Sequence, residues 1–134
     1  MKYDRLTRKV KIDVNGAEYA LLLNIGMLEE LEDELPKGTT LIDMVLNRET
    51  PKIKIIRKAF CLGLYKSGVL LDENSAERVF EKYCEESGIQ NAVGLYYVLI
   101  AASNILGTQA SNAILEGAGI KLKDTEVEEQ EKNV

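Results

Sequence analysis

The sequence predicts a mainly helical α+β domain: an N-terminal β-hairpin packed on a bundle of about five helices. Three observations carry this. One stretch alternates strictly and closes on an Asn-Gly pair, several later segments place apolar residues at helical spacing, and capping residues, glycine or proline punctuate their ends. The 134 residues suffice for one hydrophobic core, and 46% of them are apolar, an ordinary share for a globular domain. Residues 1–120 are read as that domain and 121–134 as a tail.

The hairpin comes first. Val10, Ile12 and Val14 alternate with Lys9, Lys11 and Asp13, and Asn15-Gly16 suits a two-residue turn with positive φ at both positions. Pairing across it sets Val14 opposite Ala17, Ile12 opposite Tyr19 and Val10 opposite Leu21. Val10, Ile12, Tyr19 and Leu21 then face inward, while Lys9, Lys11 and Asp13 face water. The second strand is apolar on both faces (Ala20 and Leu22 as well as Leu21 and Leu23), so something must cover it. A lone hairpin is marginal in water, and helices are expected to pack on it.

Asn24 caps a helix to about Leu35, with Leu28, Leu31 and Leu35 inward and Pro36 after its end. Its outer face is acidic: Glu29, Glu30, Glu32, Asp33, Glu34. Glu29 and Asp33 stand one turn apart, but no calcium-loop spacing surrounds them, so this face reads as solvated or as a docking surface. Thr39 or Thr40 starts a short helix through Leu46. A longer one runs from about Lys52 to Lys66 on Ile53, Ile56, Phe60 and Leu64, ended by Gly68. Asn74, with Glu77 three residues on, reads as the next cap, and Val79, Phe80, Tyr83 and Cys84 face inward from a helix that Gly88 closes.

From Ser87 to Ile120 the chain carries one charge, Glu116. Ala92 to Ala102 is apolar nearly all round. It is either the central core helix or a helix partly exposed and buried only by a partner chain. Leu106 to Gly119 is rich in glycine and alanine and needs a neighbour to be ordered. The tail from Lys121 is polar and acidic, and disorder is expected there.

Several function classes find no support. Histidine and tryptophan are absent, which removes the commonest general acid/base and metal ligand. Cys61 and Cys84 have no partner ligand nearby and read as reduced packing residues. No phosphate loop, nucleophile elbow or metal-spaced cysteine set occurs, so no catalytic residue, metal site or cofactor is expected and the chain is not read as an enzyme. The net charge of −5 argues against nucleic acid as main partner, although Arg5, Arg8, Lys9 and Lys11, then Lys52, Lys54, Arg57 and Lys58, concentrate base in the first half. No signal peptide opens the chain and the apolar run is too short for a bilayer. A cytoplasmic protein, with no membrane partner, is expected.

The order of pieces carries a resemblance. "VNGAEYALLLN", "MLEELEDEL", "TLIDMVL", "KIIRKAFCLGLYKSG" and "LLDENSAERVFEKYCEESG" follow one another, and over roughly residues 8–106 the chain resembles the small tail assembly chaperones of siphophages and prophages of Gram-positive bacteria. The resemblance implies a protein absent from the finished virion. Such a protein binds the long tape measure protein, keeps it soluble and promotes tail tube assembly, and is often made in a second, frameshifted form. Tail tube protein and a second copy of the chain remain open as further partners. The uncharged stretch 92–118 would supply the apolar contact, with Tyr96, Tyr97, Ile100 and Leu106 as contact candidates, since aromatics contribute strongly to buried interfaces. These are also natural core residues. The alternative is a small phage or bacterial regulatory adaptor that binds a host protein or nucleic acid through the base of Lys52 to Lys58.

Overall fold

The computed structural model describes residues 1–120; the expected tail of 121–134 lies outside the described residues. Strands β1 (Lys2–Asp4), β2 (Lys9–Val14) and β3 (Ala17–Leu21) lead into helices α1 (Ile25–Asp33), α2 (Leu41–Leu46) and α3 (Ile53–Leu62). A second pair of strands, β4 (Leu64–Lys66) and β5 (Val69–Leu70), precedes α4 (Glu73–Ser87), α5 (Ile89–Ala102) and α6 (Thr108–Gly117). The five strands form one antiparallel sheet in chain order, the first three helices being an excursion between β3 and β4.

The β2–β3 register is the expected one: Val10 faces Leu21, Ile12 faces Tyr19 and Val14 faces Ala17. Asn15 and Gly16 take φ of 53° and 82°, the left-handed pair that a two-residue hairpin turn requires. Val10, Ile12, Val14 and Leu21 are buried, Tyr19 is half-buried and packed on the core, and Lys11 and Asp13 are exposed. α4 and α5 lie on β2 and cover this face of the sheet.

The hairpin is not the whole sheet, which corrects the expected arrangement. β1 pairs with β2 and sets Tyr3 against Val10. β4 pairs with β3, Leu64 opposite Leu21, where a continued α3 was expected to Lys66. The helical stripe Ile56, Phe60, Leu64 misleads here because Leu64 is buried in either conformation. Gly63 decides the matter. A Cβ at this position would stand 2.2 Å from the Leu22 carbonyl oxygen, so only glycine lets α3 end against β3, and the Leu22 N–H donates to the Gly63 carbonyl at 3.0 Å. Ser67 and Gly68, φ 51° and 80°, then turn β4 into β5.

The caps follow the chemistry of their residues. Asn24 accepts from the Met27 N–H at 2.9 Å and Thr40 from the Asp43 N–H at 3.1 Å. For α4 the cap is Asp72, accepting from the Ser75 N–H at 2.7 Å, two residues before the expected Asn74. Asp72 is the first oxygen acceptor after the apolar Leu70-Leu71, and its carboxylate suits the partly positive end of the helix. The bonded Ser75 backbone holds the Asp72 carboxyl below the usual aspartate range. One acidic residue of α1 has a use beyond solvation: Glu32 accepts from the Leu41 N–H at 3.0 Å and ties the start of α2 to α1.

A single buried cluster joins both sheet and helices. Phe60 of α3 meets Phe80 and Tyr83 of α4 at centroid distances of 5.2 and 5.6 Å. On the other face of the sheet, Lys9 of β2 reaches across β3 to lie 5.0 Å from the Tyr65 ring of β4.

Candidate partner-binding surface

α5 is the central helix of the core. Gly88, at φ 81°, ends α4 and begins α5 in one residue, which folds the apolar run straight back onto the sheet. Eight of its residues are buried, among them Tyr96 and Ile100 at 1% exposure. Of the two readings open for this run, the core helix is the one observed. Two of the four contact candidates are thereby closed off, because a side chain that the core already surrounds has no face left for a partner. Burial also raises the Tyr96 phenol well above the usual tyrosine range.

Tyr97 and Leu106 stand differently. Both are half-buried and packed on the margin of the core. The Tyr97 hydroxyl donates to the Glu49 carbonyl and so ties α5 to the α2–α3 loop. Its phenol is raised, first by burial and then by the Glu49 charge. Around Tyr97 opens a groove of about 340 Å³, walled by Val45 of α2, Arg48 and Thr50 of the loop, and Ala113 and Ile114 of α6. Its lining is mainly apolar, with Arg48 as its one charged wall.

Next to this groove α2 leaves apolar surface uncovered. Leu41, Met44 and Val45 are buried, while Ile42 is 43% and Leu46 61% exposed. Sequence reasoning missed these two, although the signal was present. Five of the six residues of α2 are apolar, and a single-turn-and-a-half helix cannot bury its whole circumference against one neighbour. Ile53, at the start of α3 across the loop, is also exposed. A second groove of about 440 Å³, also bordered by Thr50, is likewise mainly apolar, with Leu35, Pro36, Met44 and Ile55 in its walls. It carries four charged side chains, Glu34, Glu49, Lys52 and Lys54, of which Lys54 and Glu34 form an ion pair at 3.0 Å.

The chemistry-bearing residues remain scattered. Among the described residues no three His, Cys, Asp or Glu side chains converge on a point that could hold a metal ion. The Cys61 thiol is pushed up to about 11, by burial first and by Glu77 next. At neutral pH it is almost wholly protonated and a poor nucleophile. Among the described residues no helix is long and apolar enough to cross a membrane.

The chain matches no family model, no curated protein and no solved structure. The surface therefore speaks through its geometry alone. What it offers is an apolar groove between helices, continuous in sequence with uncovered aliphatic side chains, and this suits the stripe of an amphipathic helix.

Proposed function

We propose that the chain is a tail assembly chaperone of a long-tailed phage or prophage. In this reading it works in the host cytoplasm, binds helical segments of the tape measure protein, keeps them soluble while tail tube subunits assemble, and stays out of the mature virion. The observation that carries the reading is the groove around Tyr97 beside exposed Ile42 and Leu46. A long helical partner with an apolar stripe is the kind of chain such a groove covers. That this partner is the tape measure protein is what the resemblance of residues 8–106 to tail assembly chaperones implies.

The test is co-expression of the full chain with fragments of the long reading frame adjacent to its gene, measuring how much of each fragment stays soluble. At least one fragment should be rescued. The double substitution Ile42→Ser with Leu46→Ser should abolish rescue while leaving the thermal midpoint within a few degrees, since both side chains are largely exposed. If no fragment of the tape measure is bound or rescued, the chaperone reading falls. The adaptor reading has its own feature, the exposed Lys52 and Arg57 on and before α3. Retention of the protein on DNA or heparin at moderate salt would favour it.

A further inference from the structure

α2 and α6 end on the same pair of backbone hydrogen bonds. At α6 the Gly119 N–H donates to the Glu116 carbonyl and the Ile120 N–H to the Leu115 carbonyl, both at 3.0 Å. At α2 the Arg48 N–H donates to the Val45 carbonyl at 3.1 Å and the Glu49 N–H to the Met44 carbonyl at 3.0 Å. This closure requires a left-handed residue just after the cap. Glycine is its usual occupant, because a Cβ in that conformation crowds the backbone. α6 uses Gly119, at φ 85°, whereas α2 uses Arg48, at φ 53°. Among the other non-glycine residues with positive φ, Arg8, Asn15 and Ser67 lie in hairpin turns and Asn104 in the α5–α6 connection. Arg48 stands in the wall of the groove around Tyr97.

The backbone gains nothing from arginine at this position, since glycine makes the same hydrogen bonds without strain. What the side chain contributes lies in the groove. Arg48 is exposed and is the one charge in a mainly apolar lining shared with Val45, Thr50, Tyr97, Ala113 and Ile114. Burial and the Glu49 charge raise the Tyr97 phenol, and the Arg48 charge alone lowers it, so the field of this cation is felt at that ring. Among the described residues no carboxylate forms an ion pair with Arg48; Lys54 and Glu34 form theirs in the neighbouring groove, which Glu49 also lines. A partner with a wholly apolar face would cover this guanidinium and leave it unpaired, at a high desolvation cost. A partner that brings a carboxylate avoids the cost. It also meets a planar fork of N–H donors that suits parallel hydrogen bonds.

We infer that Arg48 is the specificity-determining residue of the groove, and that the occupant is a helix carrying a carboxylate beside its apolar stripe, paired with the guanidinium. The inference rests on the proposed function for the helical partner, a tape measure segment. It adds the acidic residue that such a segment presents. Helices without that residue are rejected by the same charge that selects the right one.

The test takes a tape measure fragment that the full chain keeps soluble and measures its affinity against salt. Arg48→Gln should bind about ten-fold more weakly, with a flatter salt dependence. Arg48→Lys should keep the salt dependence and recover only part of the affinity, since an ammonium lacks the planar fork. Arg48→Gly should also weaken binding, yet raise the thermal midpoint by a few degrees as the left-handed strain is relieved, so the loss has no origin in unfolding. The fragment's Asp and Glu residues are then changed one at a time to Asn and Gln. One change should weaken binding to the parent about ten-fold and leave binding to Arg48→Gln unaltered. A fragment bound alike by the parent and Arg48→Gln overturns the assignment of Arg48 and leaves the chaperone reading standing. A loss at Arg48 that no acidic residue of the fragment reproduces overturns the carboxylate. If deleting residues 121–134 tightens binding to the parent but not to Arg48→Gln, the carboxylate that meets Arg48 is the chain's own and its assignment to the partner falls. A chain that binds no fragment loses the chaperone reading, and this inference with it.

Discussion

Two of the hairpins among the described residues are built on the same kind of two-residue turn. Asn15-Gly16 joins β2 to β3 and Ser67-Gly68 joins β4 to β5, and the two pairs of φ angles agree within a few degrees. Their surroundings do not agree. The first hairpin contributes Val10, Ile12, Val14 and Leu21 to the core, whereas β5 leaves Val69 and Leu70 exposed and only Leu64 of the second is buried. The turn makes a hairpin, and alternation with burial makes it a load on the fold. Turn chemistry of the same quality thus serves a structural centre in one place and an edge in the other, where a two-residue strand ends the sheet before it can recruit another chain.

The largest test of that contrast is a charge on each hairpin. Ile12→Asp places an unpaired carboxylate at a 5%-exposed position and should destabilise the protein by roughly 2–4 kcal/mol in urea unfolding. Leu70→Asp on β5 should stay within about 0.5 kcal/mol of the parent. Comparable losses would mean that the second hairpin is as central as the first. Next in size is Gly63→Ala. With backbone 2.2 Å from the new Cβ and no flexible side chain to yield, about 1–3 kcal/mol should be lost. The damage should be local: the Leu22 amide, bonded to the Gly63 carbonyl, should lose exchange protection while the β2–β3 amides keep theirs.

The same contrast explains what the sequence could and could not convey. The first hairpin, its register and its inward residues were legible because three signals coincide there: period-two alternation, an Asn-Gly turn and charges on the opposite face. The second lies in "LGLYKSGVLL", where Leu64 also completes a helical stripe and no alternation is long enough to compete. Ser-Gly was a turn signal, but the decisive fact, how close Leu22 comes to Gly63, is a property of the folded chain. β1 was missed for a similar reason, since Lys2-Tyr3-Asp4 shows one inward residue and no pattern. Among the contact candidates, Tyr97 was placed beside a groove and Tyr96 and Ile100 were not, although all three lie in one apolar run. A helix apolar on every side gives no phase, so its sequence cannot say which residue is reachable. In α2 the excess of apolar residues over one helix face did mark exposed surface, in Ile42 and Leu46.

A smaller pair of substitutions sharpens the comparison. Gly16→Ala and Gly68→Ala each force an alanine into the left-handed region, at an intrinsic cost of about 1–2 kcal/mol. At Gly16 the whole of this should register in global unfolding, because β2 and β3 cannot separate without opening the core. At Gly68 less than about 0.5 kcal/mol should register, since β5 can detach while the rest remains folded. The local loss should show instead as faster exchange of the Leu71 amide, which bonds the Leu64 carbonyl at 2.9 Å.

The smallest expected effect is also the one that isolates the turn itself. Ser67 sits at φ 51°, a region that disfavours serine and that asparagine tolerates better, because its short amide can bond the local backbone. Ser67→Asn converts the second turn into a copy of the first, Asn-Gly in place of Ser-Gly, without touching a buried side chain. It should stabilise the β4–β5 pair by about 0.5 kcal/mol, the scale of a single improved turn residue. If both hairpins obey one turn chemistry, the gain appears as slower exchange of the Leu71 amide, with little change in the thermal midpoint, since β5 opens before the fold does. The reverse substitution, Asn15→Ser, should lower the midpoint by a comparable free energy, because there the turn and the core open together. A gain at residue 67 that moved the midpoint as much as the loss at residue 15 would show the two hairpins to be energetically alike, and the distinction between centre and edge would have to be abandoned.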